Sequence, residues 1–219
     1  MRREIRITAD GSATILIPEL NEHYHSVNGA VQESEHVFIQ MGLKTLISND
    51  IRIFEFGLGT GLNSLLTLLA EPAKKITYHA MELYPLRWSY IKKLGYVQFL
   101  NLTNEQETAF KQIHEERWGE ETPITQNFIL KKINASILDY SFTEKYDLVY
   151  FDAFAPAVQP DLWCEKVFSG LYHAMKINGK LVTYCAKGEV RRNLQRVGFN
   201  VERLEGPPGK REILRATHP

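Results

Sequence analysis

The sequence is short of cysteine. Two occur in 219 residues, Cys164 and Cys185, and their spacing matches no metal-ligand pattern. A disulfide scaffold and a zinc module are excluded, no metal is expected, and the thiols read as reduced, in a cytoplasmic protein. No uninterrupted apolar run of about 18 residues occurs, so no membrane-spanning helix is predicted. The N-terminus, from Arg2 to Ser12, lacks the apolar core of a signal peptide. Charge of one sign is lacking too: 26 Lys and Arg balance 26 Asp and Glu, so net charge gives no argument for a nucleic-acid partner.

What is present is an ordinary globular composition, 44% hydrophobic and 24% charged, in a length that suits one domain and is short for two. Charge is uneven along the chain. Residues 105–121 hold six acids against two bases, and residues 187–215 hold eight bases against four acids. The second stretch is either a solvated face or a phosphate-attracting patch.

Asp10-Gly11 between Arg3–Ala9 and Ser12–Ile17 predicts a β-hairpin, because the glycine accepts positive φ. A polar loop, Tyr24–Gly29, and a helix from Ala30 to about Met41 follow. Strands then alternate with helices: strands at Ile51–Phe56, Lys75–Glu82, Asn127–Ile133, Tyr146–Asp152 and Lys180–Cys185, with helices at Gly61–Ala70, Pro85–Leu94, Asp161–Met175 and Glu189–Val197. Asn178-Gly179 reads as a turn, and Phe99–Thr122 as an insertion. Such alternation predicts an α/β, Rossmann-like fold with a mainly parallel sheet. Phe199–Leu204 and Glu212–Thr217, around Gly206-Pro207-Pro208-Gly209, add a hairpin with an antiparallel edge strand. The expected organisation is one domain over 1–219, with an N-terminal hairpin and helix extension over 1–49 and the core over 50–219.

The strongest local signal is Glu55-Phe56-Gly57-Leu58-Gly59-Thr60-Gly61-Leu62-Asn63, between a strand and a helix. Glycines there let the backbone turn sharply and approach a ligand. Alone, such a loop is equally a dinucleotide fingerprint or a tight turn. Glu82 ends the next strand, 21 residues after Gly61. A carboxylate there accepts from both ribose hydroxyls of an adenosine, which identifies a nucleoside but not which one. At the third strand end, Asn134 offers both a donor and an acceptor to an adenine edge, or caps the loop.

The fourth strand ends in Tyr150-Phe151-Asp152-Ala153-Phe154-Ala155-Pro156. Ligands of open α/β sheets bind at the carboxyl ends of the strands, so Asp152 is expected in the cleft. A carboxylate followed by an aromatic suits an amine substrate: the carboxylate accepts the amine's hydrogens, and the ring stacks on a base or lies near a sulfonium.

With these residues placed, the sequence resembles the methyltransferase domain of bifunctional bacterial tRNA wobble-uridine enzymes (MnmC-type) and its stand-alone form (MnmD-type). The likeness runs from about Tyr24 to Ala216. It rests on Glu33-Ser34-Glu35-His36-Val37-Phe38, the glycine loop, Met81-Glu82-Leu83-Tyr84-Pro85-Leu86, Asp152-Ala153-Phe154-Ala155-Pro156 with Pro160-Asp161-Leu162-Trp163, Val190-Arg191-Arg192-Asn193-Leu194 and Gly209-Lys210-Arg211-Glu212. The resemblance implies S-adenosyl-L-methionine as cofactor. It implies methylation of the amine of 5-aminomethyl(-2-thio)uridine at position 34, with the tRNA anticodon loop as partner. By resemblance Glu55, Gly57, Gly59, Thr60, Gly61, Asn63, Glu82 and Asn134 hold the cofactor and Asp152 lies by the transferred methyl. Phe154 and Tyr24 are expected to stack on the base, and Arg191, Arg192, Lys210 and Arg211 to meet phosphates. The family often has Gly-Asp where this sequence has Ile133-Asn134, which keeps hydrogen bonding and loses the charge. Bifunctional members continue into a flavin-dependent oxidase domain; this sequence ends at Pro219, so methyl transfer without flavin is expected. Two other readings stay open. A polyamine-type enzyme acting on a small amine would not favour the basic C-terminal stretch. A tRNA-binding module without cofactor would not need the intact loop and Glu82.

Overall fold

A computed structural model describes residues 2–219. Gly11, at φ +86°, turns Glu4–Ile7 (β1) back onto Ala13–Ile17 (β2), pairing Glu4 with Leu16. Glu22–His23 (β3) completes a small antiparallel sheet. The Asp10 carboxylate accepts from the Ser12 and Gln32 backbone N–H groups at 2.9 and 3.0 Å, which ties the hairpin turn to the next helix.

That helix begins as Ala30–Ser34 (α1) and widens into a π-helix over Glu35–Gln40. A uniform helix to Met41 is the sequence expectation. The structure departs from it because Val37, Phe38 and Ile39 are all buried, a wider arc than one α-helical stripe covers.

The main sheet has eight strands. In chain order its elements are Asp50–Phe56 (β4), Leu62–Ala70 (α2), Lys75–Met81 (β5), Trp88–Ile91 (α3), Tyr96–Phe99 (α4), Asn104–Glu115 (α5), Glu121–Thr125 (β6), Phe128–Ile133 (β7), Tyr146–Phe151 (β8), Glu165–His173 (α6), Met175–Thr183 (β9), Gly188–Val197 (α7), Asn200–Glu205 (β10) and Glu212–Thr217 (β11). The spatial order is β10-β11-β9-β8-β4-β5-β7-β6. Strands β4, β5, β7, β8 and β9 run parallel; β6, β10 and β11 are antiparallel to their neighbours. The parallel strands are covered on both faces, hence their continuous apolar runs. Along β4 the side chains alternate between two cores: Ile53 packs with Tyr78, Leu65 and Phe110, and Phe54 with Val149, Phe168 and Leu171. Strand order reverses between β4 and β8, which opens a crevice at their carboxyl ends.

Four local expectations are corrected. The acidic insertion contains a real helix, α5, closed by a Thr103/Gln106 capping box, and an edge strand, β6. Pro85–Leu94 yields only α3 and a 3-10 turn over Lys92–Leu94. Asp161–Met175 splits into a 3-10 turn, Pro160–Trp163, and α6, because Cys164 takes an extended conformation. Asn178, at φ +62°, kinks β9 from within rather than joining two elements. Both cysteines are free, and no helix among the described residues is long and apolar enough to cross a membrane.

Candidate functional site

The loop after β4 is built so that backbone lies where side chains would otherwise be. Gly57 has φ +93°, and a Cβ there would lie 2.5 Å from the Asp152 carbonyl oxygen. Gly61 has φ +71°, and a Cβ would lie 2.6 Å from His114 Nε2. The Gly57 and Leu58 N–H groups donate to the Met81 carbonyl at 3.0 and 3.1 Å, which fixes the loop against the end of β5.

Glu82 continues from β5 into the crevice. Its Oε2 accepts from Gly59 N at 3.0 Å and its Oε1 from Tyr84 N at 2.8 Å. An ionised carboxylate has about four acceptor positions, so two remain for a ligand's hydroxyls. Asn134 does not reach this cavity: its Nδ2 donates to the Glu82 and Leu83 carbonyls at 2.8 and 3.3 Å, capping the loop. The neighbouring Ala135, Ser136, Ile137 and Leu138 line the wall instead.

The cavity has a volume of about 570 Å³, within the range of small-molecule sites. Six sequence-predicted residues line it: Tyr24, Gly57, Gly59, Glu82, Asp152 and Phe154. Tyr24 and Phe154 meet edge to face, ring centroids 5.2 Å apart, so the N-terminal segment and the loop after β8 share one aromatic wall. The loop after β8 is held from behind: Trp163 Nε1 donates to the Phe154 carbonyl and the Tyr184 hydroxyl to the Ala153 carbonyl, each at 2.8 Å.

Asp152 Oδ2 accepts from Asn63 Nδ2 at 2.8 Å. Burial pushes its carboxyl up from 3.8 to about 7, with the Glu33 charge adding to the rise and Asn63 and Lys210 opposing it. A carboxyl so placed accepts or releases a proton near neutrality.

Glu55 lies beneath the cavity rather than on it. It is fully buried, and neither carboxyl oxygen has a hydrogen-bond partner. Burial first, and the Asp152 charge second, push its carboxyl well above the usual range, against the weaker pull of Asn63 and Tyr78. Its surroundings therefore favour the protonated acid. Thr60, Gly61 and Asn63 also sit under the loop, with Thr60 Oγ1 2.6 Å from His25 Nε2.

The basic residues stand away from the cavity wall. Arg192 and Arg211 are exposed; Arg191 is half-buried, with Nε unpartnered. Lys210 is not a free rim cation: its ammonium pairs with the buried Glu33 carboxylate and stands 4.0 Å over the Tyr184 ring. Sequence reasoning assigned no role to Glu33, His25, Tyr184 or Arg3, although His25 and Arg3 line the cavity. Their placement depends on long-range contacts that no local pattern encodes.

A family model described as S-adenosyl-L-methionine-dependent methyltransferase matches residues 101–219, more than half of the chain. Among curated proteins, the tRNA 5-methylaminomethyl-2-thiouridine biosynthesis bifunctional protein MnmC of Azoarcus sp. (strain BH72) is 29% identical over 212 residues, covering 89% of this chain and 32% of that protein. The protein of the same name from Campylobacter fetus subsp. fetus (strain 82-40) is 28% identical over 207 residues, covering 91% and 33%. The chain thus spans about a third of the length of these relatives. Among solved structures, MNMC2 from Aquifex aeolicus superposes with a TM-score of 0.75 at 24% identity, covering 99% of this chain and 70% of that one. Spermidine synthase from Thermotoga maritima gives 0.59 at 14% identity, covering 100% and 69%. These likenesses show the fold.

The residues present fit an adenosyl cofactor: a carboxylate with free lone pairs at the end of β5, a glycine loop without Cβ atoms, and an apolar slot at Ala135–Leu138. With the sheet order, the crevice and the matched family model in agreement, the chain belongs to the S-adenosyl-L-methionine-dependent methyltransferases.

Proposed function

We propose that this methyltransferase acts on tRNA, methylating the amine of 5-aminomethyl(-2-thio)uridine at wobble position 34 to give 5-methylaminomethyl(-2-thio)uridine, in the cytoplasm. The observation that carries the reading is Asp152, a proton-accepting carboxylate on the cavity wall beside the Tyr24–Phe154 aromatic pair. The names of the relatives, tRNA 5-methylaminomethyl-2-thiouridine biosynthesis proteins, agree with it.

When bound, S-adenosyl-L-methionine supplies an electrophilic methyl group. The work of the chain is placement and proton handling. Glu82 would receive the ribose hydroxyls, and the glycines at Gly57–Gly59 would let the cofactor come close to the loop backbone. The uracil ring lies against the aromatic wall that Phe154 and Tyr24 form together. An alkylammonium is no nucleophile, so one proton must leave the substrate nitrogen. Asp152 Oδ1, the oxygen that Asn63 leaves free, accepts it, and Asn63 holds the carboxylate in that orientation.

The anticodon loop presents its bases already partly unstacked, which lowers the work of drawing one into a cavity. Its phosphates meet the basic C-terminal face, where Arg192 and Arg211 are exposed. The test is incubation with methyl-labelled cofactor and tRNA from cells that lack the final methylation, followed by nucleoside analysis, with putrescine and spermidine as parallel substrates. Label in the wobble nucleoside is expected. Label in the polyamines alone, or in no nucleoside, would overturn the assignment.

A further inference from the structure

Three distant segments converge behind Asp152. Glu33 comes from α1, Tyr184 follows β9, and Lys210 sits in the β10–β11 connection. The Glu33 carboxylate is buried; one oxygen accepts from Ser26 N at 2.9 Å and the other pairs with the Lys210 ammonium. Lys210 lies 4.0 Å over the Tyr184 ring, and the hydroxyl of that ring holds the Ala153 carbonyl, next to Asp152. The connection carrying Lys210 is itself fixed, with Gly206 N donating to the Arg211 carbonyl at 3.1 Å and Lys210 N to the Pro207 carbonyl at 2.9 Å.

Among the other polar neighbours of Asp152, burial favours the protonated form of Glu55, from β4. Asn63, from α2, is uncharged. Burial holds His25, which faces the Glu33–Lys210 pair, down to about 4, and holds the Tyr184 hydroxyl and the Cys185 thiol in their protonated forms. Among the described residues, the charges that act on Asp152 are those of Glu33 and Lys210, with opposite signs.

We propose that Glu33 and Lys210 are positioning residues for methyl transfer, a partly buried ion pair that sets whether Asp152 is charged when the amine arrives. The proposal deepens the reading of Asp152 as proton acceptor and rests on it. The two charges act on Asp152 in opposite senses, Glu33 the more strongly. Removing one partner leaves the other charge uncompensated in a low-dielectric site, where a unit charge acts strongly. The two halves must therefore act in opposite directions. Without Glu33, the Lys210 cation favours the carboxylate; without Lys210, the Glu33 anion favours the protonated acid.

The experiment titrates Asp152 directly by carboxyl ¹³C NMR in the full-length protein, for wild type, Glu33→Gln, Lys210→Met and the double variant. The Asp152→Asn protein assigns the signal. We expect the midpoint to fall in Glu33→Gln and to rise in Lys210→Met, by about half a pH unit or more each, and to lie between the two single variants in the double variant. The pH profile of methyl transfer should move in the same senses. A purely structural latch between α1 and the β10–β11 connection would lower activity equally at every pH and leave the midpoint in place, and that outcome overturns the proposal. Should Lys210→Met fail to fold, Lys210→Arg, expected to keep the midpoint, and the double variant still decide the matter. The NMR titration needs no RNA, so failure of the tRNA substrate assay does not read as failure here, nor the reverse.

Discussion

Asn63 Nδ2 donates to Asp152 Oδ2 at 2.8 Å, linking the first turn of the helix after the glycine loop to the end of β8. One oxygen of Asp152 is thereby committed and the other is left for substrate. Asp152→Asn should keep the fold and the cofactor affinity while lowering turnover by ~10²-fold or more, the scale expected for loss of a general base. The same substitution should stabilise the protein at alkaline pH. The folded protein holds the Asp152 proton up to about 7, whereas the unfolded chain releases it near 3.8, so the wild type loses stability as pH climbs through that window. Thermal melts at pH 8 should favour the variant by about 1–2 kcal/mol, less than the full shift implies because cavity water screens the group, and the gain should vanish near pH 4. Equal melting at both values, or near-wild-type turnover, would remove Asp152 from its assigned role.

Glu55 presents a different case, an acid whose protonated form burial favours. An uncompensated carboxylate buried without a donor is untenable, so the neutral form is the one that fits. Glu55→Gln, neutral and nearly isosteric, should therefore leave the pH profile in place and turnover within a few-fold. Glu55→Ala should lower stability by ~2–4 kcal/mol through the void it leaves in the core. A pH midpoint that moves in Glu55→Gln would mean that Glu55 carries charge in the working enzyme.

The contrast between these two acids shows what the sequence could and could not reveal. Both were legible as acids at the carboxyl edge of a parallel sheet. Their depth was not: Glu55 is fully buried beneath the cavity, and Asp152 lies on its wall. The mainly parallel sheet followed from the alternation of apolar runs with helices; the strand order did not. Nor did the path of α5. Its Phe110 and His114 pack beneath Gly61, a contact made by a segment whose acidity marked it only as surface. Lys210 was legible as a cation near the site, but its neighbour is a carboxylate 177 residues away in the chain. Asn134 departs from the expectation for a local reason: its amide donates to the Glu82 and Leu83 carbonyls just past the neighbouring strand β5.

Glu82 should be tested on binding alone. Glu82→Ala removes the acceptor of two ribose hydroxyls and also frees the Gly59 and Tyr84 N–H groups, so cofactor affinity should weaken by ~1.5–3 kcal/mol. Glu82→Gln keeps one acceptor oxygen for those N–H groups and should lose less. Calorimetric titration separates the two. Unchanged affinity in Glu82→Ala would exclude Glu82 from the cofactor site.

The tRNA surface should lie on Arg192 and Arg211. Helix α7 begins where the chain leaves β9, at the carboxyl edge of the sheet, so its first turn stands on the same side as the cavity. Arg192 opens the next turn, its guanidinium folding back toward Gly188, and Arg211 follows Lys210, whose ammonium pairs with Glu33. Both are exposed, and neither takes part in an ion pair among the described residues, so phosphate would not have to displace a carboxylate. Lys210 is different, since drawing it to a phosphate would strip Glu33 of its partner. Arg192→Glu with Arg211→Glu should therefore weaken tRNA binding, make its salt dependence shallower by one or two released counterions, and leave cofactor binding intact. Loss of affinity without a change in salt slope would point to a disturbed fold rather than to lost phosphate contacts. An unchanged affinity would place the RNA on another face, and the cavity-lining Arg3 at the opposite rim would be the next residue to reverse.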